Sequence, residues 1–200
     1  MAREVVIVDG GGANLASLEF ALERLGARAR VTRDAAAIRD ASHVILPGVG
    51  AAAAAMRSLR ADGLADLLPR LAQPVLGICL GLQLLAEASA EDDTDCLGIF
   101  PGRAERLEAS PARPVPNMGW CRVRHCRPHP LTKGLSDGSW FYFVHSYALP
   151  VSGDSLAVAE HDGQFTAIAA RDNYAATQFH PERSAAAGSR LLANFLAFTA

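Results

Sequence analysis

Short apolar runs alternate with helical patterns through the first half of the chain, and this alternation limits the fold more than any other feature. The predicted elements are strands at 4–9, 28–34, 43–48 and 73–78, a helix at 13–27 and a pair of helices at 51–71. Alternation of this kind is typical of a parallel sheet with covering helices. The sequence therefore predicts an α/β protein.

The second half follows a different pattern. After a helix predicted at 82–90, the strands are short and separated by glycines, and we expect antiparallel pairing for most of them. They are predicted at 98–107, 119–123, 140–147, 155–161, 165–171 and 174–180, before an amphipathic helix at 182–200. No linker is long or polar enough to mark a boundary, so we predict one domain over residues 1–200.

Composition and charge narrow the function classes. Half of the 200 residues are hydrophobic and the formal net charge is −2, with basic residues scattered along the chain. This profile predicts a packed globular protein without the concentrated basic surface that would bind nucleic acid or an anionic membrane. The apolar runs are too short for a signal peptide or a membrane span, and the four cysteines are irregularly spaced. We expect a cytoplasmic protein without a disulfide framework.

The segment "PVLGICLGLQLL" combines a strand end, a cysteine and two glycines. Gly77 and Gly81 flank Cys79 in a cysteine version of the G-x-S-x-G nucleophile elbow, where small neighbours permit a strained turn that exposes the nucleophile. The helix that follows points its N-terminus at the cysteine, which favours the thiolate. Cys79 is the candidate nucleophile, although the same pattern also fits a buried cysteine between two glycines.

Two further patterns are expected at the same edge of the sheet. In "TQFHPERS", His180 can act as the base that a cysteine nucleophile needs, and Glu182 can fix its tautomer. In "LPGVG", the turn after the third strand lies where ligands bind in open α/β sheets. Backbone N–H groups at Gly50 and at Leu80, the residue after the nucleophile, can stabilise an oxyanion there. Taken alone, the first pattern also fits a surface histidine near a solvated glutamate, and the second also fits a plain turn.

Two other patterns resemble binding sites. Cys121, His125, Cys126 and His129 lie within nine positions, but their spacing fits no standard zinc site, so we expect no metal. No cofactor is expected either. The glycines at 10–12 follow a strand like a phosphate-binding turn, but G-x-G-x-x-G requires a glycine where Leu15 stands.

With the elbow, the His-Pro-Glu segment and the glycine turn, the chain resembles the class I glutamine amidotransferases. Within that class it is most similar to the glutaminase subunits of imidazole glycerol phosphate synthases, which serve histidine biosynthesis. The segments that carry the similarity are "NLASLEFALERLGA", "LPGVG", "GICLGLQLL", "PGRAERL", "VPNMGW", "FYFVHSY" and "QFHPERS". The similarity runs nearly from end to end.

The resemblance implies a flavodoxin-like fold, with a central, mostly parallel sheet flanked by helices and an additional small antiparallel sheet. It implies that Cys79 attacks the side-chain amide of glutamine, that His180 moves the proton and that Glu182 orients His180. The positions that match the family's glutamine-binding residues are Gln83, Ser146 and Tyr147.

The resemblance also implies a partner, because ammonia released into water would be protonated and lost. That partner is a (β/α)8 cyclase subunit in a heterodimer, which uses ammonia to make imidazole glycerol phosphate and aminoimidazole carboxamide ribotide. The positions that match the interface are Asn14, Met118 and Trp120. Positions that depart from the usual family pattern are Gly10, Ala13, Asn117 and Cys121.

Three alternatives stay open at this point. The same glutaminase chemistry could serve another synthase, such as those for anthranilate, aminodeoxychorismate or pyridoxal phosphate. The chain could be a stand-alone cysteine hydrolase that acts on γ-glutamyl bonds. The glycines after the first strand also leave open a nucleotide-binding module.

Overall fold

The computed structural model describes residues 4–10 and 15–199, and within these ranges the chain forms thirteen strands and six α-helices. The strands are β1 (Glu4–Val8), β2 (Arg28–Thr32), β3 (His43–Gly48), β4 (Val75–Cys79), β5 (Ala86–Ser89), β6 (Thr94–Asp95), β7 (Phe100–Arg106), β8 (Asn117–His125), β9 (Ser139–His145), β10 (Tyr147–Ala148), β11 (Ser155–Glu160), β12 (Gln164–Arg171) and β13 (Tyr174–Thr177). The α-helices are α1 (Leu15–Arg24), α2 (Ala35–Asp40), α3 (Ala52–Ala61), α4 (Leu64–Leu67), α5 (Leu80–Leu84) and α6 (Ala185–Ala197).

Nine of the described strands form one large sheet, in the order β2-β1-β3-β4-β13-β12-β11-β8-β9. The strands from β2 to β13 in this order run parallel, and the pairs from β13 to β9 are antiparallel. A second sheet has the order β10-β7-β5-β6. The predicted α/β layout is present, but most antiparallel strands extend the large sheet, and the small sheet contains one parallel pair, β5 with β7.

The parallel strands are buried on both faces, as their continuous apolar runs require. Side chains alternate across the sheet, so Val5 and Ile7 of β1 belong to one core cluster, whereas Val6 and Val8 belong to the other. Helices α1 and α6 contribute to the first cluster, and α3, α4 and α5 contribute to the second. Each fully buried aliphatic side chain stabilises the fold by about 1.5–3 kcal/mol relative to an exposed one.

Three predicted elements need correction. The helix predicted at 82–90 ends at Leu84, because residues 86–89 form β5 and pair with β7 instead. Helix α2 was not predicted, although Asp34 caps it by accepting a hydrogen bond from the Ala37 N–H at 2.8 Å. The C-terminal helix begins at Ala185, because Pro181–Arg183 forms a 3-10 turn first.

The order of the central strands positions the site. Strand β4 lies between β3 and β13, with Gly48 opposite Cys79 and Thr177 opposite Ile78. All three strands run in the same direction, so their carboxyl ends meet at one edge of the sheet. None of the helices in the described part of the chain is long and apolar enough to cross a membrane.

Candidate active site

Cys79 occupies a strained turn between β4 and α5. Its φ of 56° and ψ of −108° place a non-glycine residue in a sparsely populated region. A methyl group added to Gly81 would overlap the carbonyl oxygen of Leu46, and one added to Gly77 would lie 2.7 Å from Cδ1 of Leu85. Both glycines are therefore required by close packing, and the turn has the geometry predicted for a nucleophile elbow.

His180 and Glu182 form a pair beside this turn. Nδ1 of His180 lies 2.8 Å from Oε1 of Glu182, and the two side chains are only 11% and 9% exposed. The 3-10 turn that begins at Pro181 brings these two side chains together. The backbone N–H of His180 donates to the Tyr142 carbonyl at 3.0 Å, which anchors the segment to β9.

The surroundings of His180 favour its charged form. Burial lowers its pKa, but the neighbouring Cys79 and Glu182 outweigh burial and raise the pKa from 6.5 to about 10. Nε2 of His180 is buried and has no hydrogen-bond partner among the described residues. The raised pKa makes this ring a strong base for a proton released by a neighbouring group.

The sulfur of Cys79 has two hydrogen-bonding neighbours that the sequence patterns did not indicate. The thiol donates to the backbone carbonyl of Val144 at 3.7 Å, and Nε2 of Gln178 donates to Sγ at 3.8 Å. Val144 lies on β9 and Gln178 directly follows β13. Both residues lie inside segments quoted above, FYFVHSY and TQFHPERS, but their contacts with Cys79 depend on long-range packing.

A cavity of about 380 Å³ opens above the cysteine. The predicted site residues that line it are Gly50, Cys79, Leu80, Gln83, Ser146, Tyr147, His180 and Glu182. Gln83 is buried, and its Nε2 donates to the Tyr147 carbonyl at 2.9 Å. Gly50 has a φ of +90°, a conformation that favours glycine in the turn after β3.

Glu91 also lines this cavity, and sequence reasoning missed it. Its carboxylate accepts a hydrogen bond from the Ala52 N–H at 2.8 Å, so it joins the start of α3 to the turn after β5. In the sequence, Glu91 begins an acidic run from 91 to 95, and nothing local distinguishes it from its neighbours.

His145 forms the wall of the cavity next to Ser146 and is held neutral. Burial lowers its pKa to about 4. Nδ1 donates to the Tyr147 carbonyl at 2.9 Å, so Nε2 accepts from Nδ2 of Asn117 at 3.1 Å. Cys121 donates to Oδ1 of the same Asn117 at 3.5 Å. The two departures from the family pattern on β8 therefore contact each other behind the cavity.

Two of the predicted interface residues, Met118 and Trp120, do not line the cavity. Met118 and Trp120 on β8 are 65% and 49% exposed, and Trp140 on β9 is 49% exposed. Trp120 packs edge-on against Tyr142, with ring centroids 6.0 Å apart. We call Met118, Trp120, Trp140 and Tyr142 the β8–β9 face. Asn14 lies outside the described residues, as do the glycines at 11 and 12.

The cysteine- and histidine-rich segment lies elsewhere. His125, Cys126 and His129 line a separate open groove, whereas Cys121 contacts Asn117. Within the described ranges, no group of three or more His, Cys, Asp or Glu side chains is placed to hold a metal ion.

Comparison with known sequences agrees with this arrangement. Residues 6–198 match the family described as glutamine amidotransferase class-I. The imidazole glycerol phosphate synthase subunit HisH of Xylella fastidiosa is 49% identical over 193 residues, which cover 96% of this chain and 96% of that protein. The subunit of the same name from Xanthomonas oryzae pv. oryzae is 50% identical over 193 residues, again 96% of each.

Solved structures with low sequence identity share the fold. A crystal structure of a glutamine amidotransferase matches with a TM-score of 0.75 and 20% identity, covering 96% of this chain and 97% of that chain. The structure of PurLQS from Thermotoga maritima matches with a TM-score of 0.72 and 18% identity, covering 98% of this chain and 99% of that chain. The predicted fold class is confirmed. Because the family match spans nearly the whole sequence, the chain belongs to the class-I glutamine amidotransferase family.

Proposed function

We propose that the chain is the glutaminase subunit of an imidazole glycerol phosphate synthase, and that Cys79, His180 and Glu182 are its catalytic triad. The observation that carries the proposal is the buried pair in which Nδ1 of His180 lies 2.8 Å from Oε1 of Glu182. Nε2 of His180 has no partner among the described residues, and His180 lines the same cavity as Cys79. The high identity to synthase subunits named HisH supports the choice of synthase.

The geometry supports a two-stage hydrolysis. Nε2 of His180 takes the thiol proton, and Sγ of Cys79 attacks the amide carbon of glutamine. The oxyanion that forms is stabilised by backbone N–H groups at Leu80 and Gly50. The C–N bond then breaks, and protonated His180 delivers its proton to the departing ammonia. Water, activated by His180, hydrolyses the thioester and releases glutamate, so no cofactor is required.

The cavity has groups suited to the amino-acid end of glutamine. Gln83, Ser146 and Tyr147 are proposed to hold it, and all three line the cavity. Glu91 adds a carboxylate to the same cavity. We propose that this carboxylate binds the α-ammonium group of glutamine, because opposite charges attract most strongly where water is restricted.

The β8–β9 face is proposed to dock a cyclase partner with a (β/α)8 fold. It presents exposed apolar and aromatic side chains on the last two strands at one edge of the large sheet, a composition typical of protein interfaces. Val144 lies opposite Met118 in the strand register and also lines the catalytic cavity. The face therefore adjoins the site where ammonia would form, which suits direct transfer to the partner.

We propose the cytoplasm as the location of this reaction. All four cysteines have free thiols. Free thiols of this number are typical of reducing compartments.

The test is to assay glutamine hydrolysis by the chain alone and with a candidate cyclase, each with and without the cyclase's nucleotide substrate. We expect low activity alone, strong stimulation in the complex, and loss of activity in Cys79→Ala. Cys126→Ala, which removes an exposed thiol outside the cavity, is the matched control and should retain full activity.

Two results would contradict the proposal. Activity that survives Cys79→Ala would exclude the proposed nucleophile. Full, unstimulated hydrolysis by the isolated chain would favour a stand-alone hydrolase.

A further inference from the structure

A buried amide beside the proposed nucleophile has no role in the scheme above. We propose that Gln178 stabilises the thiolate of Cys79 by donating an N–H to its sulfur, and that Gln83 holds Gln178 in the orientation this requires. This inference rests on the proposed function, since it concerns the nucleophile of the same site. It adds a residue that does not line the substrate cavity.

Gln178 is buried, so its amide group depends on hydrogen bonds to other protein atoms. The residue has no exposed surface, and a buried amide is costly unless its polar atoms are paired. Oε1 accepts from Nε2 of Gln83 at 3.4 Å, and Nε2 donates to Sγ of Cys79 at 3.8 Å. Among the described residues, the sulfur is the only hydrogen-bond acceptor found for this Nε2.

The orientation of both amides follows from the backbone. The carbonyl of Tyr147 can only accept, so the group of Gln83 that lies 2.9 Å from it must be the amide nitrogen. The same nitrogen lies 3.4 Å from Gln178, whose facing atom is therefore the oxygen. The amide nitrogen of Gln178 is consequently directed to the sulfur of Cys79.

The two neighbours of the sulfur favour opposite protonation states. The Val144 carbonyl accepts the S–H proton, so this bond exists only while Cys79 is a thiol. A neutral thiol is a weak acceptor, whereas a thiolate accepts a charge-assisted hydrogen bond. When the S–H bond breaks, its electron pair stays on sulfur, the proton forms an N–H bond at Nε2 of His180, and the bond from Gln178 becomes stronger.

The test measures the ionisation of Cys79 without glutamine. The full-length protein is alkylated with iodoacetamide between about pH 5 and about pH 10, and mass spectrometry follows the peptide that contains Cys79. We expect Gln178→Met to raise the midpoint by about one pH unit and to reduce the rate at pH 7 about tenfold. In the complex, kcat should fall and KM should stay unchanged.

Two further variants separate this role from a structural one. Gln178→Glu keeps the shape of the side chain and should raise the midpoint at least as far, because a carboxylate repels the thiolate. Gln178→Glu also tests the role of Gln178 if the Gln178→Met variant does not fold. Gln73→Met is the matched control: its amide bonds the carbonyls of Ile38 and Arg39, far from the cavity, and its midpoint should equal that of the wild type.

The outcomes distinguish this inference from the proposed function. If wild-type Cys79 titrates but the folded Gln178 variants share its midpoint, the role of Gln178 is overturned while the nucleophile stands. If Cys79→Ala retains glutaminase activity in the complex, the proposed nucleophile is overturned and the role of Gln178 with it.

Discussion

The backbone of Cys79 adopts a conformation that its own side chain disfavours. Its positive φ is of the kind that costs a non-glycine residue about 1–3 kcal/mol, whereas glycine adopts it freely. We therefore expect the free energy of unfolding of Cys79→Gly to exceed that of Cys79→Ala by about 1 kcal/mol, with both variants inactive. Urea denaturation measures the difference, and equal stabilities would show that the turn is unstrained.

The His180–Glu182 pair predicts a pH dependence of stability. The pKa of His180 is raised from 6.5 to about 10 in the folded chain, so protonation of His180 stabilises the fold. That contribution is fully present below about pH 6.5 and is lost as the pH rises through about 10. The difference in unfolding free energy between wild type and Glu182→Gln should therefore be largest near pH 6 and shrink towards pH 10.

A series of urea denaturation curves at increasing pH tests this expectation. Ser152→Ala, a change in an exposed loop, should differ from the wild type by the same amount at every pH. A difference for Glu182→Gln that is independent of pH would contradict a charged pair.

At the scale of elements, the contact between α5 and β3 depends on the absence of a side chain at Gly81. Because a methyl group there would overlap the Leu46 carbonyl oxygen, we expect Gly81→Ala to lower the free energy of unfolding by about 3 kcal/mol or more. Gly153→Ala is the control, since a methyl group there meets nothing within 4 Å. Chemical denaturation measures the stability of both variants. An equally small loss of stability in the two would contradict the tight contact at Gly81.

Elements with strong local signals were predictable. Strands β1, β3 and β4 follow from apolar runs that end in glycine or at the elbow, and the cysteine and His-Pro-Glu motifs indicate the site from sequence. The second half of the helix predicted at 82–90 is wrong because Ala86 and its neighbours pair with β7. That pairing depends on residues outside any local window, and it outweighs helix propensity.

Two residues of the candidate site could not be predicted, because their contacts depend on the fold. Glu91 stands in an acidic run, and its place in the cavity depends on its bond to the Ala52 N–H. Gln178 lies inside the TQFHPERS segment, but nothing in that segment indicates its contact with Cys79, which spans 99 positions and requires β4 and β13 to be neighbours.

At the scale of the whole molecule, the β8–β9 face makes a prediction about assembly. Exposed tryptophans commonly dominate the energy of protein interfaces. We expect Trp120→Ala to weaken binding of the cyclase partner by about 2 kcal/mol, or roughly 30-fold in Kd, without altering the melting temperature of the isolated chain. Val151→Ala, an exposed apolar side chain in the loop after β10, should leave the affinity unchanged. Calorimetric titration measures both, and equal affinities would remove Trp120 from the interface.

The position of β13 between β4 and β12 also fixes the order in which a growing chain becomes active. On the ribosome, β4 and its cysteine are made long before the strand that will lie beside them and carry His180 to the same edge. Until residue 180 has been made, the proposed nucleophile lacks its proposed base, and β4 has an open apolar edge on one side. If the proposed triad is right, unfinished chains do not hydrolyse glutamine, and their unpaired strand edge is exposed to aggregation.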